Sequence, residues 1–162
     1  MLSETLVLSA HALLVFTLVA LWAVQAERSG SLGALGMVFS VSGTTLNCAA
    51  VLAEIAGASG AKVDAVVSAG VSGTITLLGG LSFLIGLILF GIGTMRAGVL
   101  PRWSGPLLIL GDVVFAVGTF AGSAALIVEV LGALITCAAF VWLGLALLST
   151  SDVPAQRRAR VS

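Results

Sequence analysis

Four ionisable side chains stand inside long apolar stretches of this sequence: His11, Glu54, Asp112 and Glu129. A charged Asp at the centre of a membrane helix costs about 2.5–3.5 kcal/mol, so such residues persist where they are paired, protonated or functional. His11, Glu54 and Glu129 are each expected within roughly 5–10 Å of one end of an apolar helix, at the outer membrane boundary. Asn47 is expected beneath them.

Two interpretations of this outer group stay open. In the first, Glu54 and Glu129 share a proton that His11 relays, which makes a site for a proton or a cation. In the second, the three side chains form hydrogen bonds between helices and reach the water among the lipid headgroups.

Asp112 stands apart from the outer group. Thr119 lies seven residues further along the same predicted helix, on the same face. Because Asp112 is expected deepest in the membrane, it is the residue that would carry a proton or cation if the protein transports one. The alternative is a structural hydrogen bond in a dry interface between helices.

A stripe of polar residues marks one face of the second apolar stretch. Ser40, Thr44, Asn47 and Glu54 follow one another at offsets of 4, 3 and 7, which place them on one side of a helix. A polar stripe of this length is costly against lipid, so it is expected to face the bundle interior, a partner subunit or a water-filled crevice.

Several kinds of chemistry are excluded by residue type. The chain has 1 His and 2 Cys, too few for a multi-His metal site, and Cys48 and Cys137 form no Cys-x-x-Cys pair. It contains no Gly-x-Ser-x-Gly, phosphate loop or dinucleotide fingerprint. Its 7 basic and 7 acidic residues leave no positive field for nucleic acid. The sequence therefore predicts no enzyme, no cofactor, no metal site and no nucleic-acid partner.

Composition defines the fold class. The 162 residues are 59% hydrophobic and 9% charged, whereas a soluble domain carries about 25% charged residues. Since a helix crosses the hydrocarbon in about 20 residues, the chain is predicted to be an all-α membrane bundle in one domain. Its five transmembrane helices are predicted at 5–26, 33–56, 72–97, 105–121 and 124–149, followed by a basic tail over 150–162.

The basic residues predict the orientation, because Lys and Arg near helix ends stay on the cytoplasmic side. With five helices one face receives Lys62 alone, which is the face of the N-terminus. The opposite face receives six arginines: Arg28, Arg96, Arg102, Arg157, Arg158 and Arg160. The chain is therefore expected to be a multi-pass protein of the inner membrane, with its N-terminus outside and its C-terminus in the cytoplasm.

Small residues form two further stripes, which allow helix backbones to approach closely in lipid. They are Gly79, Gly86 and Gly93 on the third predicted helix, and Gly111, Gly118 and Gly122 on and after the fourth. Such stripes exceed what one small bundle is expected to bury within itself, which predicts contact with other membrane subunits or with further copies of the chain.

A short loop before the fourth helix resembles one found in other membrane proteins. The segment 97–105 reads Ala-Gly-Val-Leu-Pro-Arg-Trp-Ser-Gly. It is similar to a Gly-Val-Leu-Pro-Arg-Trp loop of small bacterial and archaeal polytopic membrane proteins, a family that carries no known activity. The resemblance implies a prokaryotic inner-membrane protein surrounded by lipid, and nothing about mechanism.

Two functions are consistent with these patterns. The first is an accessory or interaction subunit of a larger membrane assembly, predicted from the excluded chemistry and the small-residue stripes. The second is a small-solute or proton-linked transporter or channel that uses the acidic residues within the membrane.

Overall fold

The structure, a computed structural model, describes residues 2–61 and 71–151, and these residues form helices and short turns. The four α-helices are α1 (Leu2–Ala58), α2 (Val71–Ala97), α3 (Ser104–Gly118) and α4 (Ala125–Ser151), and a single turn of 3₁₀ helix (Gly122–Ala124) precedes α4. Among these described residues, three helical stretches are long and apolar enough to cross a membrane: Leu2–Ala58, Gly73–Ala97 and Gly122–Ser149. The shorter α3 is also apolar. The predicted all-α class is confirmed.

The largest difference from the prediction lies in α1, which runs through the region where two helices were expected at 5–26 and 33–56. Its helical geometry is interrupted at Gly30 alone, where φ is 61° and ψ is −158°. Only glycine readily adopts this backbone region. Helical geometry resumes at once after Gly30, so no loop separates the segment 2–29 from the segment 31–58.

Both segments of α1 lie beside the same part of α2. Leu18 and Leu21 of the first segment belong to a buried apolar cluster with Phe90. Gly36 of the second segment packs on the backbone of Phe90. The chain therefore reverses direction at Gly30.

The other predicted boundaries differ from the observed ones by a few residues. Helix α3 ends at Gly118, and the 3₁₀ turn and α4 follow from Gly122, so the interruption begins a few residues before the predicted helix boundary between 121 and 124. Lys62, the tail arginines and most of the predicted loop 57–71 lie outside the described residues.

Helix α2 and the second segment of α1 are antiparallel and pack through glycines. A Cβ built on Gly36 would come 2.7 Å from Phe90 Cα, and one built on Gly43 would come 2.7 Å from Phe83 Cα. The contacts continue at steps of three and four residues in the pairs Gly93–Gly33, Gly86–Ser40 and Gly79–Asn47. Ser82 Oγ also donates a hydrogen bond to the Phe39 carbonyl oxygen at 2.9 Å. The two backbones are therefore as close as their side chains allow.

Helices α3 and α4 form a second antiparallel pair of the same kind. A Cβ on Gly118 would lie 2.7 Å from Glu129 Cγ, and a Cβ on Gly132 would lie 2.7 Å from Phe115 Cα. The two pairs join where α2 meets α3, since a Cβ on Gly91 would lie 2.8 Å from the Gly105 carbonyl oxygen.

One apolar core connects all four helices. Its buried members are Leu18, Leu21, Leu87, Phe90, Leu100, Leu108, Ala139 and Leu143. Large apolar side chains also cover the outside of the bundle, for example Phe16, Leu126 and Leu134, which are 73%, 72% and 61% exposed. A chain that is apolar outside as well as inside is suited to lipid rather than to water.

Candidate functional site

Asp112 is the ionisable side chain that the structure buries most completely among the described residues. It lies on α3 one turn after the core residue Leu108, on the same face of the helix, and is 5% exposed. Its Oδ2 atom has no hydrogen-bond partner among the described residues. Burying a carboxyl oxygen without a hydrogen-bond partner costs free energy of folding. Asp112 is therefore a candidate for a functional role.

Two hydroxyl groups on α1 share this property. Ser40 and Thr44 are fully buried, and Ser40 Oγ and Thr44 Oγ1 both lack a partner among the described residues. Ser40 and Thr44 are the first two residues of the predicted polar stripe, so this half of the stripe faces the bundle interior. Asn47 is half-buried beside Gly79, and Glu54 at the end of the stripe is exposed.

Helix register gives the relative depth of these side chains. Ser40 lies beside Gly86, and Gly91 lies beside Gly105. Gly86 is five residues from Gly91 along α2, and Asp112 is seven residues from Gly105 along α3. With a rise of about 1.5 Å per residue, the depths of Gly86 and Asp112 differ by about 3 Å. Asp112 and Ser40 are therefore at nearly the same depth in the bundle.

Helix register places three residues of the predicted outer group at a similar depth, on different helical segments, and the fourth further out. Asn47 and Glu129 contact Gly79 and Gly118, which lie at matching depths on α2 and α3. His11 lies on the same face of α1 as Leu18 and falls at this depth too. Glu54 is seven residues beyond Asn47, about 10 Å further out.

The His, Cys, Asp and Glu side chains are not grouped in the part of the chain that the structure describes. His11 is half-buried, and its Nδ1 is 2.9 Å from the Val7 carbonyl oxygen of its own helix. Within residues 2–61 and 71–151, no three His, Cys, Asp or Glu side chains are grouped so that they could hold a metal ion. Cys48 and Cys137 are free thiols on different helices.

The predicted packing glycines divide into two kinds. Gly79, Gly86 and Gly93 contact α1, and Gly111 and Gly118 contact α4. Gly122 has open space where its Cβ would be and starts the 3₁₀ turn. The five predicted packing glycines on α2 and α3 are therefore used inside the bundle, and Gly122 is a turn residue.

Sequence reasoning missed a buried polar pair at the end of the bundle where Gly30 and Gly98 lie, hereafter the Gly30 end. Gln25 Nε2 donates a hydrogen bond to Thr94 Oγ1 at 3.1 Å, and both residues are buried. The signal was in the spacing: Gln25 continues the stripe of Leu14, Leu18 and Leu21, at steps of four and three residues. A polar residue at the end of such an apolar stripe needs a partner.

Comparisons with protein families, with curated proteins and with solved structures find no match to this chain.

Proposed function

We propose that this chain is a multi-pass protein of the inner membrane with five spans, the N-terminus outside and the C-terminus in the cytoplasm. The break at Gly30 supports two spans within α1, because both of its segments lie along the same part of α2. With five spans, six arginines fall on one face and Lys62 alone on the other.

Within this membrane the protein acts as an accessory or interaction subunit rather than as an enzyme. The observation that supports this role is an apolar groove between the first segment of α1 and α4. Its lining includes Phe16, Ala20, Val141, Gly144 and Leu148. The predicted packing glycines Gly79, Gly86, Gly93, Gly111 and Gly118 are already used inside the bundle, so the groove rather than these glycines supports contact with another subunit.

The shape of the groove suits a transmembrane helix from a partner. A Cβ built on Gly144 would meet no atom within 4 Å. Ala20 gives the α1 side of the groove a second small residue. Small residues on both sides allow a third helix to approach closely, which is how helices associate in lipid.

Purification in mild detergent followed by native mass measurement tests this role. We expect the chain to leave the membrane with a second subunit or a second copy, and Gly144→Leu to release it by filling the groove. Gly80→Leu is the matched control, because Gly80 also has open space but lies on α2 outside the groove. A monomer without any co-purifying subunit contradicts the proposal.

The second candidate function is proton-linked or small-solute transport, and the observation that favours it is Asp112. This carboxyl group is buried at the depth of Ser40, and each of the two side chains has an oxygen atom that finds no partner within residues 2–61 and 71–151. Above them, toward the outer face, His11, Asn47 and Glu129 lie at one depth. Transport requires that water or a solute pass between these two levels, which are separated by about 9 Å.

Reconstitution into proteoliposomes distinguishes this second function. Asp112→Asn keeps the shape of the side chain and removes its charge, so it is expected to abolish proton-linked flux while the protein still folds. Glu54→Gln is the matched control, because Glu54 is exposed and lies away from the other groups. Wild-type protein that moves no protons, or an Asp112→Asn variant that moves them equally well, contradicts transport.

A further inference from the structure

The first segment of α1, residues 2–29, is attached to the bundle differently from the other helical segments. The close glycine contacts described above join α2 to the second segment of α1, α3 to α4, and α2 to α3. Gly33 also approaches Ser29, but this contact lies within the turn at Gly30. Further along the first segment, the contact with α2 is made by larger side chains.

Most of these larger side chains are leucines, which hold a helix weakly in a membrane. Leu14, Leu18 and Leu21 pack in the core together with Phe90 of α2. Lipid tails are as apolar as leucine, so hydrophobicity gives little reason for these side chains to stay in the bundle. Helices associate in lipid mainly through close packing and hydrogen bonds, and the first segment lacks the close glycine packing of its neighbours.

A hydrogen bond does hold the first segment on α2, and it lies near the turn. Gln25 Nε2 donates to Thr94 Oγ1 at 3.1 Å, and both side chains are buried. Gln25 is five residues from Gly30. The bond therefore acts at the base of the segment and leaves its far end to the leucines.

On its other side the first segment is separated from α4 by the apolar groove. The groove has a volume of about 520 Å³ and is lined on the α4 side by residues between 141 and 148. Leu21 belongs to two surfaces, because it lines the groove and is also a member of the buried core. Movement of the first segment away from α4 would therefore open the core toward the lipid.

Gly30 has the properties of a hinge for this movement. Its φ of 61° and ψ of −158° interrupt the helical geometry of α1. A Cβ built there would meet no atom within 4 Å, so the backbone is not packed against a neighbour. Hinges are a few residues that absorb a change in φ and ψ, and this position can do so without displacing another side chain.

We propose that the first segment of α1 is a lateral gate, which turns about Gly30 as one body while the other helical segments stay together. Turning away from α4 widens the groove and uncovers the core beside Leu21. Leu13 is about 25 Å along the helix from Gly30, so a rotation of about 10° moves it by about 4 Å. The proposal goes beyond the proposed function and does not depend on what occupies the groove.

Distances between spin labels test the gate in the full chain in lipid nanodiscs. After both native cysteines are replaced by alanine, one pair of labels is placed at Leu13 and Leu134, on the first segment and on α4. The reference pair is Val38 and Leu134, which joins the second segment to the same position on α4. All three side chains are exposed, at 66%, 61% and 52% for Leu13, Leu134 and Val38.

Pulsed electron paramagnetic resonance gives the distribution of distances for each pair. We expect the Leu13–Leu134 distribution to have a second component, or a width greater by about 4 Å, and the Val38–Leu134 distribution to be single and narrow. Distributions of equal width in the two pairs overturn the proposal.

The variant Thr94→Val tests the hydrogen bond at the base of the gate. It keeps the shape of the side chain and removes the hydroxyl group, so the open population is expected to rise about fivefold. Ser82→Ala is the matched control, because it removes a hydrogen bond from α2 to the second segment, at the Phe39 carbonyl oxygen. This control is expected to leave the Leu13–Leu134 distribution unchanged.

Two results with these variants also overturn the proposal. The first is a Thr94→Val distribution identical to that of the wild type, and the second is an equal change in Ser82→Ala. Circular dichroism checks that each variant folds. If Thr94→Val does not fold, the comparison of the two labelled pairs in otherwise wild-type protein still decides.

Discussion

Gly86 of α2 lies directly against Ser40 of α1: a Cβ built on Gly86 would come within 2.7 Å of Ser40 Cα. The neighbour is backbone and cannot move without shifting a whole helix. This contact sits in the middle of a run of close approaches between α1 and α2, so it fixes both the separation and the register of the two helices.

Gly86→Ala is therefore expected to destabilise the protein by about 1–3 kcal/mol, the cost of overpacking a close interface. Gly80→Ala on the same helix is the matched control, because a Cβ there would meet no atom within 4 Å. Unfolding in mixed detergent micelles, followed by circular dichroism, measures both. Equal stability of the two variants would show that α1 and α2 are not in contact at Gly86.

The reversal within α1 gives a second prediction. Gly30 has φ 61° and ψ −158°, a region in which a side chain costs about 1–3 kcal/mol. Gly30→Ala is expected to lower the free energy of unfolding by that amount, even though a Cβ at Gly30 has open space. Gly73→Ala in α2, also with open space but in a helix, is expected to have little effect or to stabilise the protein slightly. A Gly30→Ala variant as stable as the wild type contradicts the sharp reversal.

Asp112 gives a third prediction, which separates a structural from a functional role. One of its oxygen atoms is buried with no partner in the part of the chain that the structure describes, so an apolar side chain with the same branching removes an unfavourable group. The free energy of unfolding of Asp112→Leu is expected to lie within about 1 kcal/mol of the wild-type value, or above it. Chemical unfolding in detergent measures it, with the conservative Asp112→Asn alongside. A loss greater than about 3 kcal/mol would mean that the carboxyl group holds the helices together.

Membrane topology gives a fourth prediction. Single cysteines at Ser3 and Ser162, introduced after Cys48 and Cys137 are replaced by alanine, are expected to react with an impermeant maleimide from opposite sides. The reason is that an odd number of spans places the two ends of the chain on opposite faces of the membrane. Labelling of both cysteines from the same side would require an even number of spans and would remove the five-span proposal.

The packing glycines show how far the sequence leads. Gly79, Gly86 and Gly93 recur every seven residues, and this spacing predicts a face of α2 that another helix approaches closely. The structure places α1 against that face. The sequence did not specify the partner helix, because a glycine stripe carries no information about what packs on it. For that reason the same stripe is equally consistent, in sequence, with a surface for another subunit.

The acidic residues show the opposite limit. Glu54 and Asp112 both interrupt apolar runs, and the predicted helix ends place Glu54 near the outer boundary and Asp112 deepest. Depth along a helix does not specify whether a side chain faces lipid, water or another helix. The structure leaves Glu54 exposed near the end of α1 and buries Asp112 beside the core residue Leu108. Burial depends on the other helices around a position, and these come from distant parts of the chain.

The sequence alone determined the helical class, because long uncharged runs can satisfy their backbone hydrogen bonds in lipid only as helices. It also determined which faces are small and which are polar, since both follow from the period of a helix. Only the tertiary structure decided that α1 reverses at a single glycine, that Gln25 meets Thr94, and that Asp112 is enclosed. These features arise from contacts between residues far apart in the chain, and no local pattern encodes them.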